Sequence, residues 1–199
     1  MSDLLTNWGY TIENTASLPD LMTVAEFNAL TGNKFVNDTR VSSLLASAQI
    51  AIRNFCGWHL YPSLPCKFEA DSINESRCIQ LPSRFVSGVE SVMVKDEPVL
   101  DYHVKSNGLV FLDGSVLGRS WNEVVVKFTS GLGDSQIGAL KEILAGRIAN
   151  ALTNSYGVQS ESAGGVSITY SLNWARTASA SSITDPLIAA LAPYRVQEV

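Results

Sequence analysis

A chain of 199 residues with 46% hydrophobic and 17% charged residues has the length of one domain, or of one domain with an insertion, and enough apolar material for a core. Fourteen basic against 19 acidic residues leave a formal charge of −5, and the Lys and Arg residues form no cluster of the kind that grips nucleic acid by counterion release. No apolar window is long enough to span a membrane, the opening residues lack a signal-peptide pattern, and three widely spaced cysteines without a CxxC read as reduced, mostly buried thiols.

Residues 1–20 are polar and mixed and read as an extended N-terminal arm, whose Trp8 and Tyr10 either dock on a neighbouring surface or pack back on the chain itself. Thr23-x-x-Glu26 is a capping box, with Val24, Phe27 and Leu30 on one helical face and Gly32 as a stop. Asn37 or Asp38 caps a second helix. Its residues Val41, Leu44, Leu45, Ala48, Ile52 and Phe55 recur at steps of three and four, and Gly57 ends it. Pro62 and Pro65 forbid its continuation.

From Cys66 to Leu132 the period switches to two. Short runs at 66–70, 78–81, 89–94, 99–105, 109–112 and 123–129, punctuated by turns at 95–98 and 106–108, predict an antiparallel β region of five or six strands inserted between two helices. Gly131-Leu132-Gly133-Asp134 leads into a third helix, capped by Asp134 or Ser135. Its apolar stripe is Ile137, Leu140, Leu144, Ile148, Ala151 and Leu152, widened by Ile143, Ala145 and Ala149. Gly146 costs roughly 1 kcal/mol relative to Ala inside that helix, which a close helix–helix approach would explain. Residues 158–165 read as a loop, and Val166, Ile168 and Tyr170 alternate with small polar residues as a short strand. A small-residue linker at 177–182 precedes a last short helix opened by Asp185-Pro186, carrying Leu187, Ile188 and Leu191 and closed by Pro193.

The expected fold class is therefore α+β: a helical bundle with an inserted antiparallel β subdomain and an extended C-terminal arm. The expected division is an N-terminal arm at 1–20, a helical core at 21–61 and 134–157, a β region at 62–133, and a C-terminal arm with a short terminal helix at 158–199.

The motifs for chemistry are missing. Gly131-x-Gly133 opens no GxGxxG and no GxxxxGK[ST], so it is a strand-to-helix turn rather than a phosphate loop. His59 and His103 are the only histidines; neither belongs to an HxxxH or HExxH, and no G-x-S-x-G elbow is present. The acidic residues Asp71, Glu75, Asp96, Glu97 and Asp113 are scattered and mark no acid–base pair by position. No catalytic residue, cofactor or metal is expected.

The C-terminal third carries a resemblance. Tyr156-Gly157-Val158, followed by Ser160-Glu161-Ser162-x-Gly164-x-Val166-Ser167-Ile168-Thr169-Tyr170-Ser171, resembles the C-terminal signature of tailed-phage head-tail connector proteins, the adaptor or head-completion proteins under the portal. The helix exit Asn54-Phe55-Cys56-Gly57-Trp58-His59-Leu60 and the closing Tyr194-Arg195 are similar to the same family. The resemblance covers residues 21–60 and 134–199 and leaves the β region without a family role. It implies a virion structural protein at the head–tail interface, made in the host cytoplasm. It also implies a dodecameric ring of its own copies beneath the portal protein, receiving a tail or stopper protein below. DNA would pass through the lumen without sequence-specific binding, and no membrane would be involved.

The residues it marks for the subunit or portal interface are Arg147, Glu161, Gly164, Val166, Ile168, Tyr170, Trp174, Tyr194 and Arg195. Glu161 has two readings, a solvated loop acid or a carboxylate that meets a neighbour's amides or an arginine such as Arg147. The competing functions are a tail-completion protein, or a small ligand-binding or enzymatic α+β domain.

Overall fold

The computed structural model describes residues 2–72, 77–105, 107–113, 120–153, 160–163, 166–169 and 186–196. Contacts divide the chain into two units: Met1–Leu21 with Ile52–Ile137 and Tyr194–Val199, and Met22–Ala51 with Gly138–Pro193.

The first unit is the β unit. Its strands are β1 (Leu4–Leu5), β2 (Tyr10–Ile12), β3 (Leu64–Ser72), β4 (Cys78–Gln80), β5 (Val86–Val94), β6 (Glu97–Pro98), β7 (Tyr102–Val104), β8 (Leu109–Leu112) and β9 (Ser120–Ser130). Six of them form one antiparallel sheet in the order β1-β2-β3-β9-β5-β6. The alternation read in the sequence is what gives this sheet a greasy face. Tyr10, Phe68, Val126 and Val92 stand in one cross-strand row, and Ile12, Cys66, Phe128 and Val89 in the next. Tyr10, Ile12, Cys66, Val92, Val126 and Phe128 are all buried. Between those rows the other face carries Thr11, Lys67, Lys127 and Ser91. The two lysines sit directly opposite each other, and the like charges are relieved by Glu13 at 3.1 Å from Lys127 and Glu69 at 2.5 Å from Lys67.

Register shifts at 70/72, 86/88 and 89/91 bend β3 and β5. Lys95 and Asp96 both take positive φ (53° and 62°), which makes a two-residue hairpin and leaves Glu97 and Pro98 to form the edge strand β6. The remaining strands form a separate three-stranded sheet, β4-β8-β7, with Ile79, Val110 and Leu112 buried.

The strands of the β region fall into two sheets. Residues of the N-terminal arm join the larger one as β1 and β2, so of the two readings of Tyr10 the self-packed one is what the fold shows.

The second unit is helical, with α1 (Val24–Leu30), α2 (Val41–Cys56, which runs on into the β unit), α3 (Gly138–Thr153) and α4 (Pro186–Leu191). A 3₁₀ turn, Ala192–Tyr194, follows α4. The capping box at Thr23 forms as expected, with the Glu26 amide donating to Thr23 Oγ1 (3.3 Å) and the Thr23 amide donating to Glu26 Oε2 (2.7 Å). Of the three apolar residues expected on one face of α1, only Phe27 is buried; it stacks on Phe35, while Val24 and Leu30 are exposed. Of the two caps expected for the second helix, Asn37 and Asp38, it is Asp38 that bonds at its entry. Its carboxylate accepts the Arg40 amide (2.9 Å), and α2 begins at Val41.

In α2, Val41, Leu45, Ala48 and Ile52 are buried as the periodicity requires. In α3 the stripe Leu140, Leu144, Ile148 and Leu152 is buried, with Ala145 beside it, but Ala151 is exposed. The start of α3 also moves. Gln136 and Ile137 donate to the Gly133 carbonyl, so the helix begins at Gly138, and Asp134 accepts the Tyr61 hydroxyl (2.8 Å) instead of capping. A Cβ on Gly146 would meet nothing within 4 Å among the described residues, so none of them makes the close helix approach that would explain this glycine. Helix α3 is tied to α1 by Lys141–Glu26 (2.5 Å), and Arg40 donates to the Leu152 carbonyl (3.4 Å).

Part of the expected loop at 158–165 is a strand. β10 (Ser160–Ala163) pairs antiparallel with β11 (Val166–Thr169), placing Glu161 opposite Ile168. The strand expected at 166–171 is present over Val166–Thr169, and the linker at 177–182 lies outside the described residues.

Candidate functional site

Among the described residues, a deep polar cluster of the β unit lies where α2 exits. Gly57 (φ 78°) ends the helix, and Leu60 (φ 69°) turns the chain so that Trp58, His59 and Leu60 all point inward; all three are fully buried. His59 Nε2 lies 3.0 Å from both the Pro62 and the Ser130 carbonyls. Two acceptors at one ring nitrogen require that nitrogen to carry the proton, so Nδ1 accepts the Tyr10 hydroxyl at 2.7 Å. The Tyr10 oxygen in turn accepts the His59 amide (3.0 Å).

Burial holds the imidazole neutral, with its pKa pushed down to about 4, and burial drives the Tyr10 phenol up. Arg53, also buried, donates to the carbonyls of His59 (3.0 Å), Pro19 (2.5 Å) and Tyr61 (3.3 Å). Burial lowers its pKa, opposed by the charge of Asp20. Beside them, Ser130 Oγ donates to the Phe85 carbonyl (3.0 Å), which leaves Ser83 as the donor in the short Ser83–Ser130 hydroxyl bond.

A histidine, two serines and two buried cysteines in one neighbourhood are the raw materials of nucleophilic catalysis, but their arrangement is that of a clamp. The histidine nitrogens are spent on Tyr10, Pro62 and Ser130, and neither serine is offered to His59 as a nucleophile would be. Burial pushes the Cys56 and Cys66 thiols up to about 12, away from the reactive thiolate. The second histidine, His103, pairs with Asp113 at 2.9 Å on an open, shallow depression bordered by Leu100, Asp101 and Tyr102. Among the described residues no group of three His, Cys, Asp or Glu side chains could hold a metal ion.

The expected interface residues separate into three sets. Tyr194 and Arg195 fold back onto the β unit. Trp58 Nε1 donates to the Tyr194 carbonyl (2.6 Å), the Tyr194 ring leans on Phe85, and the Arg195 guanidinium lies 5.5 Å over the Phe55 ring. The Val196 amide donates to the Cys56 carbonyl (2.9 Å). Arg147 is half-buried on α3, and Glu161, Val166 and Ile168 fall on the β10–β11 hairpin. Gly164, Tyr170 and Trp174 lie outside the described residues. The clamp around His59 escaped the sequence reading. Two of its three partners, Tyr10 and Ser130, stand 49 and 71 residues away, and the only local sign was a histidine set among Trp58 and Leu60 just after a helix-ending glycine.

No protein-family model matches the sequence, and no curated protein matches it. Solved structures do. A chain in the neck of an empty gene transfer agent particle, computed with C6 symmetry, aligns with a TM-score of 0.57 at 18% identity, over 94% of this chain and 96% of that one. A chain in the neck of the native particle, computed with C12 symmetry, aligns at 0.52 and 16% identity, over 92% and 97%. A chain of the native virion aligns at 0.59 and 17% identity, over 94% and 96%. From end to end, the fold is similar to that of a phage-like neck component. The likeness spans the β unit as well as the helices, so the segment at 62–133 belongs to the shared fold.

Proposed function

We propose that this chain is a structural head–tail adaptor of a phage or phage-like particle, present as many copies in a ring between a portal protein and a tail or stopper protein. The observation that carries this reading is the near-complete coverage in both directions between this chain and chains of particle necks computed with C12 and C6 symmetry. Two further features agree with it. The buried polar residues serve to fasten strands rather than to meet a substrate. The low content of charged residues, 17%, suits a surface that neighbours cover. In such a ring the protein works by shape, without turnover, and DNA passes through a lumen that offers it no basic cluster.

The test is removal of the protein from a particle-producing strain. Electron microscopy should show DNA-filled heads and separate tails, and purified protein added back should restore joining. Particles that join normally without it would refute the reading.

A further inference from the structure

Among the described residues of the helical unit, the exposed large apolar side chains lie on α1, on the segment after it, and on α2: Val24, Leu30, Val36 and Ile50 are 41–60% exposed. On α1, Val24, Ala25, Ala29 and Leu30 face water. On α2, Ser43, Ala46, Ser47 and Ile50, at steps of three and four, form one exposed face. Residues 41–52 contain no charged side chain, and the one charge of α1, Glu26, is held by Lys141. A helix face turned permanently to water carries charge, and these two do not.

Charge is also divided unequally. The helical unit has five basic and five acidic residues, while the β unit has nine basic and fourteen acidic, so the whole −5 lies on the β unit. Helical units of neighbouring copies meet without net repulsion, and β units do not.

A rotational ring needs two different patches per subunit, one to give and one to receive, whereas a two-fold dimer needs only one self-complementary patch. The helical unit has two dissimilar ones, a bulky face on α1 (Val24, Leu30) and a shallow bed of small residues on α2 (Ser43, Ala46, Ser47) edged by Ile50. Small residues let a second helix approach closely, to about 8 Å between axes. We infer that the occupant is a second copy: the exposed face of α1 in one subunit seats on the exposed face of α2 in the next. This inference rests on the adaptor reading above and specifies its subunit contact.

The experiment uses Leu30→Glu and Ile50→Glu in the full chain, with circular dichroism confirming that both fold. In analytical ultracentrifugation the parent protein should associate into closed rings, and each variant should be monomeric, its association weakened by roughly tenfold or more. The two variants mixed should form a one-to-one pair and nothing larger, because only one intact α1 face and one intact α2 face remain. Rings from either variant, dimers from a single variant, a mixture that stays monomeric, or a parent protein that never associates would each overturn the inference. Microscopy keeps the two claims apart. Variant protein that still joins heads to tails sinks only the α1–α2 contact, whereas a particle neck that lacks the protein altogether sinks the adaptor reading.

Discussion

At the scale of single residues, His59 is where sequence, packing and stability meet. Its imidazole is neutral in the folded state, with a pKa of about 4 against 6.5 for the ordinary side chain. Between those values the unfolded chain takes up a proton that the folded one refuses. Stability is therefore full above pH 6.5 and declines as pH falls toward 4, by about 3 kcal/mol in total if burial alone governs the shift. Denaturant unfolding at pH 7 and at pH 5.5, above most carboxylate titrations, should show the loss in the parent protein and a much smaller change in His59→Gln. Gly131 makes a second demand. It sits at φ 130°, and a Cβ there would lie 2.1 Å from the Pro62 carbonyl oxygen, a backbone atom that cannot step aside. Gly131→Ala should cost about 3 kcal/mol or more, read as loss of soluble folded protein, while Gly146→Ala, with open space around it, should be neutral or slightly stabilising.

At the scale of elements, the short helix α1 depends on its ends. Seven residues are too few to be stable alone, so the capping box and the buried Phe27 hold it. Thr23→Ala should lower stability by about 1 kcal/mol and Leu144→Ala, in the fully buried stripe of α3, by about 3 kcal/mol, both measured by chemical denaturation. What could be read in advance followed the range of the interaction. The Thr23-x-x-Glu26 box and most of the α2 and α3 stripes are settled within four residues of chain, and they stand, with Leu44 and Phe55 only half-buried and Ala151 exposed. The strand β2 is three residues long, and its partners are Cys66, Lys67 and Phe68, so nothing local distinguished it from an arm. Ser160–Ala163 has the composition of a loop and becomes a strand by pairing with Val166–Thr169. The face of α1 shows the limit of periodicity: a period of three or four says which residues align, not how many of them a neighbour covers.

At the scale of the molecule, the division of charge governs what the protein will hold. The β unit is acidic and the helical unit neutral by residue count, and the sequence holds no Lys and Arg cluster of the kind that releases counterions from a phosphate backbone. The protein should pass unretained through immobilised double-stranded DNA at roughly physiological salt, about 0.15 M. Retention there that disappears on adding salt would reveal a basic surface built by assembly. The candidate assembly surface was legible only in part. The absence of charge along 41–52 is visible in the sequence, but that Ile50 and Leu30 stay uncovered is visible only once the fold shows which side of each helix is spent on the core.

Residues far apart in the chain fasten to one short stretch at the end of α2: the Tyr10 hydroxyl bonds His59, and the Val196 amide bonds the carbonyl of Cys56. The two bonds bring residues 10 and 196 to the same short stretch, and the β1–β2–β3 ladder anchors the first of them further. Pulled from those two points, the protein should resist as a buckle does, holding its length until the fastening slips.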